Sequence, residues 1–444
     1  MQYEIRTGGR EASLAQVLAA RDARAPRRAA LLGENASLAV LTVNIPGPVK
    51  LSPMTCAVFS AGISALRAAL GAPPRKTLWR VTGAEAYFVS PLPPDRLKRL
   101  TSELEEEHPL GRLMDVDVFA PNGAPYSREA LGLPRRRCLL CGEDAAACGR
   151  ARAHPVAELV AWADECVERY ERARCATLPE QLGRLAQDAL CEEVWATPKP
   201  GLVDRRNNGA HTDMDYADFL ASATVLRPWF VRCAQEGVQP PSPSAAFAAL
   251  RPLGLEAERD MYAATNGINT HKGALFSLGL LCAAAARVAA RGERLSPPTV
   301  CEEAKVMTQG LCAREYTALD ARPALTRGER MFLAHGVRGV RGQAEAGFPD
   351  ALHTALPCLG GAGERNEQLV TALLRLMATL HDTNVLGRGG ADAAQSVCAR
   401  ADACRTPEDA LALDDALTRE GLSPGGCADL LAVSVFFDSL KTII

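Results

Sequence analysis

The chain has 444 residues, 48% of them hydrophobic and 23% charged, a composition that excludes a disordered, collagen-like or disulfide-scaffold protein. At roughly 100–200 residues per domain, this length predicts two to four domains. The formal net charge of −2 creates no overall field that would attract nucleic acid or an anionic membrane surface, so we expect neither as a partner.

Lysine and asparagine are scarce in this sequence. Only 7 of the 50 basic residues are lysine, and 9 residues are asparagine. Because arginine supplies nearly all of the cationic surface, a lysine or asparagine within a polar cluster indicates a more specific role than surface charge.

The 15 cysteines are interpreted as reduced thiols. Their number is odd, and the opening residues lack the apolar segment of a signal peptide, so we expect a cytoplasmic protein. The longest apolar run, near residues 274–286, is shorter than the roughly 20 residues that a membrane helix requires.

The first half of the chain mixes strand and helix patterns. β-Branched and aliphatic residues predict a buried strand over 38–45, and helical spacing that stops at Gly71 predicts a helix over 52–70. Further elements are predicted as strands over 78–81, 86–90 and 114–119 and an amphipathic helix over 94–107. This half is therefore predicted to be α/β.

From about residue 178 onward, strand patterns give way to alanine- and leucine-rich helical segments. Helices are predicted over 180–195, 215–231, 256–264, 272–291, 298–314, 364–380, 391–400, 407–420 and 428–441. The segment 272–291 is apolar almost all round and is expected to be a central, buried helix. We place the domain boundary after residue 176 and expect an all-α domain beyond it.

Two aspartates lie two residues apart on the predicted strand 114–119. Asp115 and Asp117 should therefore point to the same face, where a divalent cation would relieve their repulsion. Oxygen-only ligation favours Mg²⁺, and Arg112 just upstream suits a polyphosphate. The alternative is an edge strand with a solvated polar face.

A cysteine-rich stretch follows at Arg135–His154. Cys138, Cys141, Cys148 and His154 could together bind a structural zinc ion, although their spacing is not that of a common zinc finger. Small buried thiols, or a basic surface that binds phosphate, are the alternatives.

Polar residues of the rarer types gather in four stretches of the second half, mostly at helix ends. The candidates are Lys199, Asp204, Asn208, His211, Asp213, Asp215, Asn269, Thr270, His271, Lys272, Arg341, Glu345, Asp382, Asn384 and Arg388. This concentration favours a shared site over solvated loops, and it suits polyphosphate and ribose. Asn269 or Thr270 could cap the helix that begins with Lys272, whereas Asp215 could be no more than a helix cap.

The chain contains neither a G-x-x-x-x-G-K-[ST] phosphate loop nor a G-x-G-x-x-G after a strand. The motifs of residues 180–444 instead resemble those of the triphosphoribosyl-dephospho-CoA synthases: T-P-K-P-G-L-V-D from Thr197, N-x-G-A-H-x-D-M-D from Asn207, N-T-H-K-G from Asn269 and D-T-N from Asp382. Gln343 stands where the R-G-E-A pattern has glutamate, which shifts attention to Glu345 as an essential carboxylate.

Residues 1–175 resemble the apo-citrate lyase phosphoribosyl-dephospho-CoA transferases through E-x-H-P-L-G-R-L-x-D-x-D-V, which ends at Val118, and through the cysteine stretch from Arg136. The chain thus looks like a fusion of two consecutive enzymes, over residues 1–176 and 177–444. We expect a nucleotidyltransferase-like mixed sheet in the first domain and an all-α second domain.

The resemblance implies two reactions. ATP and 3′-dephospho-CoA would give 2′-(5″-triphosphoribosyl)-3′-dephospho-CoA and adenine. The phosphoribosyl-dephospho-CoA unit would then pass to a serine of the citrate lyase acyl carrier protein, with release of pyrophosphate. Two alternatives stay open, namely the same chemistry serving malonate decarboxylase, and a nucleotide-binding regulator without catalysis.

Residue roles follow from the resemblance as hypotheses. Mg²⁺ is assigned to Asp115 and Asp117 in the first half and to Asp213 and Asp215 in the second. Catalytic duty is assigned to those four and to Arg112, His211, Glu345 and Asp382. Lys199, His271 and Lys272 are expected to bind the triphosphate, Asn208, Asn269 and Asn384 the ribose, and Asp204, Thr270, Arg341 and Arg388 the substrates more generally.

Overall fold

The computed structural model describes residues 1–33, 36–317, 319, 325–361 and 363–443. Two units divide the chain, Met1–Arg174 and Cys175–Ile444. The boundary predicted from the sequence follows residue 176.

The N-terminal unit combines one sheet with helices. The helices are α1 Tyr3–Thr7, α2 Leu14–Asp22, α3 Arg24–Leu31, α4 Pro53–Leu70, α5 Pro94–Glu107, α6 Ala145–Ala151 and α7 Val156–Arg174, with 3-10 turns at Gly111–Leu113 and Glu129–Leu131. The strands are β1 Ser37–Val43, β2 Lys76–Leu78, β3 Glu85–Ser90, β4 Met114–Phe119 and β5 Pro125–Tyr126. Their order across the sheet is β2-β3-β1-β4-β5.

The sheet is antiparallel throughout its described strands, so the predicted mixed sheet is wrong. β1 lies at the centre and runs antiparallel to both β3 and β4, with Thr42 opposite Asp115 and Val40 opposite Asp117. The alternation of apolar and acidic residues along β4 identifies a strand, but it carries no information about the direction of the neighbours. An antiparallel sheet can leave part of one face open to solvent, which β4 requires for its aspartates.

The two faces of the sheet are covered unequally. On one face α4 packs closely, because Gly62 lies against Leu41 and Met114, and a Cβ there would be 2.8 Å from Leu41. On the other face, Leu38, Val40, Tyr87 and Phe119 form a small cluster beneath the end of α3. Side chains alternate along a strand, so Asp115 and Asp117 lie on this second face, beyond the cluster.

The C-terminal unit is helical over its described residues. Its α-helices are α8 Leu178–Trp195, α9 Tyr216–Val238, α10 Pro243–Ala264, α11 Lys272–Ala290, α12 Pro297–Met307, α13 Leu311–Tyr316, α14 Arg327–His335, α15 Gly339–Ala346, α16 Leu356–Leu359, α17 Arg365–Thr379, α18 Thr383–Ala403, α19 Pro407–Glu420 and α20 Gly425–Ser439. A π turn at Ala351–Ala355 and a 3-10 turn at Leu440–Thr442 complete it.

Helix α11 lies at the centre of this unit, as its apolar sequence predicts. It packs against α8, α9, α10, α12 and α20. Close approach to α9 depends on Gly237, where a Cβ would lie 2.7 Å from the Cα of Ala283. Leu278 and Leu281 are fully buried, and truncation of either to alanine would cost about 2–5 kcal/mol.

Two described helices, Pro53–Leu70 and Lys272–Ala290, are long and apolar enough to cross a membrane by length and composition alone. The apolar window of the second is 78% buried inside the unit, which is typical of a core helix.

Candidate functional site

In the N-terminal unit, the acidic pair of β4 lies beside an arginine. Asp115 is half-exposed, with 45% of its side chain accessible, and its Oδ1 accepts a 3.0 Å hydrogen bond from Nη1 of Arg136. Arg136 also donates to the carbonyl oxygen of Met114 at 2.5 Å. Its guanidinium is thus fixed by two acceptors and offsets one of the two negative charges.

Asp117 is exposed, yet the surrounding protein removes part of the hydration of its carboxylate. This desolvation, followed by repulsion from Asp115, raises the pKa of the Asp117 carboxyl. Lys98 lies nearby on α5, where it is buried and donates to the carbonyl oxygen of Val116 at 2.8 Å. Burial lowers the pKa of Lys98, whereas Glu105 and Asp117 oppose that shift. Sequence reasoning missed Lys98, although a lysine is rare in this chain.

Arg112 binds the backbone of the cysteine-rich segment. Its Nη2 donates to the carbonyl oxygens of Arg137 at 2.5 Å and Cys138 at 3.2 Å. The catalytic role expected for Arg112 therefore loses support, because its guanidinium is used to hold the cysteine-rich segment. That segment brings the donor atoms of Cys138, Cys141, Cys148 and His154 within 4.8 Å of one another.

Two neighbouring cavities lie among the described residues of the C-terminal unit. The larger, of about 1050 Å³, is mostly apolar and contains Phe247, Phe276 and Tyr316 together with Arg338 and Arg341. The smaller, of about 600 Å³, is polar. The residues that line both are Asn269, Lys272, Gly273, Asn384 and Asp429. The two cavities are therefore neighbours with a common wall at the start of α11.

Lys199 is a buried residue that lines the polar cavity. The chain reaches it through a cis Thr197–Pro198 peptide bond. The lysine is 1% exposed, and its Nζ forms an ion pair with Glu193 on α8. Burial raises the pKa of Glu193, and the nearby Lys199 opposes that shift. A direct bond from Lys199 to a triphosphate would have to compete with this ion pair, so its expected role is weakened.

His271 is buried beneath the same cavity. Its Nδ1 shares a 2.7 Å hydrogen bond with Ser222 Oγ, and its ring meets Phe219 edge-on at 4.9 Å. Burial, with Lys199 nearby, lowers the pKa of His271 to about 3. The imidazole is therefore neutral at physiological pH and adds no positive charge for the triphosphate that the sequence assigned to it. It can still act as a neutral hydrogen-bonding group, since its Nε2 has no partner among the described residues.

Lys272 is the accessible cation at the common wall. Its side chain is 45% exposed, and Nζ lies 2.8 Å from Glu258 at the surface. Asn269 Oδ1 accepts from the backbone N–H of Lys272 at 3.2 Å, which realises one of the two predicted caps of α11. Thr270 lines the polar cavity, and its hydroxyl has no partner among the described residues. These groups are available to an anion at the start of the helix.

Two loops and α18 also contribute residues to the lining of the polar cavity. His211 Nε2 lies 2.9 Å from Ser423 Oγ, and His211 Nδ1 lies 3.7 Å from the exposed carboxylate of Asp213. Arg388 donates to the carbonyl oxygen of Gly421 at 2.9 Å. Of the residues that the sequence grouped into one site, His211, Asp213, Asn384 and Arg388 line this cavity.

Three predicted acidic residues instead organise the backbone. Asp204 is buried and accepts from the N–H groups of Lys199, Arg206 and Asn207. Asp215 caps α9 by accepting from Ala217 N at 2.7 Å and Asp218 N at 3.3 Å. Asp382 caps α18 through Asn384 N at 2.7 Å and also accepts from Cys427 N at 2.9 Å. None of the three is among the described residues that line a cavity, which argues against direct ligand, metal or acid–base roles.

Asn208 and Glu345 also lie outside both cavities within the described part of the chain. Glu345 faces Arg338 at 3.8 Å and Cys312. Gln343 lines the larger cavity and donates to Asp350 at 2.5 Å, whereas Glu345, to which the sequence shifted attention, does not line it. Arg341 lines the same cavity, with its guanidinium 5.7 Å from the Tyr316 ring.

Asp429 was missed by the sequence analysis. It lies on α20 and borders both cavities, and its carboxylate accepts the backbone N–H of Ala274. A Cβ on Gly273 would overlap this carboxylate, so any other residue at that position would displace it. Burial, followed by repulsion from Glu193 and Asp382, raises the pKa of Asp429 well above its usual value. The signal that could have identified it is a carboxylate within the otherwise uncharged stretch 427–437.

Known protein families match the two parts of the chain separately. Residues 12–170 match the CitX family, described as apo-citrate lyase phosphoribosyl-dephospho-CoA transferase. Residues 179–443 match the CitG family, described as ATP:dephospho-CoA triphosphoribosyl transferase. Over an alignment of 462 positions the chain is 36% identical to Protein CitXG of Haemophilus influenzae, with 98% of each chain covered. The chain belongs to the CitXG family.

Other relatives match either nearly the whole chain or about half of it. Protein CitXG of Leuconostoc mesenteroides is 33% identical over 464 residues, again with 98% of each chain covered. A 2-(5″-triphosphoribosyl)-3′-dephosphocoenzyme-A synthase of Pectobacterium atrosepticum is 43% identical over 256 residues, which is 55% of this chain and 84% of that protein.

Family membership confirms the resemblance deduced from the motifs and makes the chain a bifunctional transferase. It synthesises triphosphoribosyl-dephospho-CoA and transfers the phosphoribosyl-dephospho-CoA unit to the citrate lyase carrier protein. The alternative that it serves malonate decarboxylase is not favoured, because the acceptor named for the CitX family is apo-citrate lyase.

Proposed function

We propose that the two cavities of the C-terminal unit hold ATP and 3′-dephospho-CoA side by side for direct transfer. The 2′-hydroxyl of dephospho-CoA attacks C1′ of the ATP ribose, the bond from C1′ to adenine breaks, and the triphosphate stays intact. The observation that carries this proposal is the wall shared by the two cavities at Asn269, Lys272, Gly273, Asn384 and Asp429. Two substrates that meet at this wall can react without a covalent enzyme intermediate.

ATP is assigned to the polar cavity. Lys272 and Arg388 supply positive charge there, and the start of α11 supplies further dipolar attraction for phosphates. Asn384 and Thr270 offer hydrogen bonds to ribose hydroxyls. Dephospho-CoA is assigned to the larger cavity, where aromatic residues suit its apolar arm and Arg338 and Arg341 suit its phosphates.

Asp429 is assigned as the proton-transfer group. The reaction moves one proton from the attacking hydroxyl to the departing adenine, and Asp429 borders both cavities. Its raised pKa favours the protonated form, which can donate to adenine and then accept the proton of the 2′-hydroxyl. The carboxyl group thus returns to its starting state in each turnover.

In the N-terminal unit, Asp115 and Asp117 are assigned to the transfer onto the carrier-protein serine. Their placement on one face of β4 and their mutual repulsion fit a divalent cation, and Arg136 adds a fixed positive charge beside them. Mg²⁺ bound there would supply charge neutralisation for the pyrophosphate leaving group. Arg136 itself would orient a phosphate oxygen through its guanidinium.

The experiment measures the products of both steps, which are free adenine and the modified carrier protein. The full chain is incubated with ATP, Mg²⁺ and 3′-dephospho-CoA, and free adenine is measured by chromatography, with dephospho-CoA omitted as the control. Adenine that appears only when both substrates are present supports the first step. A protein that binds ATP and releases no adenine would instead be a nucleotide-binding regulator. Citrate lyase acyl carrier protein is then added, and its mass must increase by one phosphoribosyl-dephospho-CoA unit.

A further inference from the structure

The segment between β5 and α7 has almost no apolar core of its own. Within Arg135–His154, Cys138 is the residue classed as buried, and most of its neighbours are exposed. The segment nevertheless has a defined conformation. Arg137 pairs with Asp144 as an isolated antiparallel bridge, and Cys138 N donates to the carbonyl oxygen of Glu143 at 2.6 Å. A short ordered segment without an apolar core typically depends on a disulfide or a metal ion.

Its local structure orients three thiols and an imidazole toward one point. The turn after Cys138 closes at Gly142, with φ of 74°, and the backbone N–H groups of Cys141 and Leu140 are directed at the Cys138 sulfur. Asp144 caps α6 by accepting from Ala147 N at 2.7 Å, and α6 carries Cys148 toward the turn. N–H groups directed at a cysteine sulfur stabilise the thiolate that a metal requires.

The dimensions fit one tetrahedral ion. The four donor atoms lie within 4.8 Å of one another, and Cys148 Sγ lies 3.4 Å from Cys138 Sγ. Four ligands at Zn–S distances of about 2.3 Å and Zn–N distances of about 2.1 Å need donors at this kind of spacing. The three cysteines are free thiols, and the Nε2 of His154 is shielded from water without a hydrogen-bond partner among the described residues. A metal ion bound to His154 Nε2 would supply the partner that this nitrogen lacks among the described residues.

The segment is attached directly to the acidic pair. Arg136, two residues before Cys138, holds Asp115, and Arg112 holds the carbonyl oxygens of Arg137 and Cys138. We propose that Cys138, Cys141, Cys148 and His154 bind one structural zinc ion, and that this site fixes the position of Arg136 against Asp115. The second part rests on the proposed function of the N-terminal unit, whereas the first does not. Arg136 would touch the phosphate, and the zinc site would act only by positioning it.

Metal content tests the site without reference to activity. The full-length protein is prepared under reducing conditions with Zn²⁺ present, desalted, and measured by elemental analysis. We expect one zinc per wild-type chain, loss of that zinc in Cys148→Ser and in His154→Ala, and one zinc in Cys166→Ser, a matched cysteine on α7. Replacement by Co²⁺ should give the visible absorption of tetrahedral thiolate coordination. Wild-type protein that takes up no metal, or Cys148→Ser protein that keeps one equivalent, would overturn the site.

Two further measurements test what the site does. Trypsin should cleave the Arg135–Arg137 region at least ten-fold faster in Cys148→Ser than in wild type or Cys166→Ser. Carrier labelling should fall at least ten-fold in Cys148→Ser, while adenine release stays within two-fold. Arg136→Ala should keep its zinc and lose labelling, with partial rescue in Arg136→Lys. Full labelling by zinc-free protein would refute the positioning role, and a wild type that labels no carrier would refute the proposed function but leave the metal result intact.

Discussion

The carboxylate of Asp382 accepts the backbone N–H of Cys427 at 2.9 Å and so joins the start of α18 to the start of α20. These helix starts carry Asn384 and Asp429, which both line the wall between the two cavities. A residue that touches neither cavity therefore sets the distance between two residues that do.

Asp382→Asn tests this relationship. An asparagine can still cap α18 through its side-chain oxygen, but its amide would face the N–H of Cys427, and leaving that buried donor unsatisfied costs about 1–3 kcal/mol. We expect a lower urea midpoint for the C-terminal unit together with slower adenine release. Thr406→Ala is the matched control, since it removes the cap of α19 without affecting the cavities. Equal adenine release in both variants would show that the link is structural only.

Asp429→Asn should lower kcat for adenine release by about 10²–10⁴-fold, the usual contribution of a general acid or base. The KM for ATP should change little, because the substitution preserves size. Asp392→Asn, an exposed carboxylate on α18, is the control. If Asp429→Asn retains wild-type kcat, the proton-transfer assignment is wrong.

The same residue predicts a pH dependence. Asp429 must be protonated to donate to adenine, and its pKa is raised by burial. The kcat should therefore fall as pH rises through that raised pKa and stay high below it. A pH profile of Asp429→Asn, at its much lower rate, should lack this decline.

Lys272→Ala should raise the KM for ATP about ten-fold or more, because an accessible cation at the start of α11 is lost. Lys305→Ala removes another exposed lysine that pairs with Glu302 at 3.3 Å, and it should leave the KM unchanged. Initial rates of adenine release at varied ATP concentration provide the measurement. An unchanged KM in Lys272→Ala would refute the phosphate assignment.

In the N-terminal unit, Asp115→Asn should reduce carrier labelling at least 100-fold and leave adenine release intact. The substitution removes one of the two charges assigned to Mg²⁺ and the partner of Arg136. Asp95→Asn, an exposed position in the first turn of α5, serves as the control. Loss of both activities would indicate misfolding, and loss of neither would exclude the metal assignment.

His271 should couple stability to pH. Its pKa is about 3 in the folded protein, against about 6.5 when unfolded, so the unfolded chain binds a proton that the native chain excludes. Stability should be full above pH 6.5 and fall as pH decreases toward 3, by up to about 1.4 kcal/mol per pH unit. Urea unfolding at several pH values should show a weaker decline in His271→Gln than in His353→Gln, which changes an exposed histidine. Parallel declines in the two variants would contradict the buried, neutral state.

Elements with an uninterrupted periodicity were predictable from the sequence. The helix 94–107 and the strand 114–119 have the predicted bounds. Helix α10 begins at Pro243 instead of residue 256, because Pro252 and Gly254 within it break the helical pattern. Helix α18 is interrupted at Gly390, whose φ of 77° and ψ of −172° are not helical, and the segment after this kink begins at residue 391, as predicted. The sequence missed the segment before the kink, which begins at Thr383, because Gly387 and Gly389 break its helical pattern. Tertiary packing overrides local preference in both helices.

The site was predictable as a region but not residue by residue. Aspartate is favoured both as a helix cap and as a catalytic group, so Asp204, Asp215 and Asp382 could not be separated from Asp213 without coordinates. The burial that makes His271 neutral and pairs Lys199 with Glu193 likewise depends on contacts across the fold.

The wall between the cavities also has a consequence for how such an enzyme can change over time. Because residues such as Lys272 and Asn384 border both compartments, a substitution there alters the environment of the nucleotide and of its acceptor together. A substitution at one of these shared positions would therefore change the preference for both substrates at once. Adaptation to a different acceptor would have to begin at residues such as Phe247 or Arg341, which border the larger compartment alone.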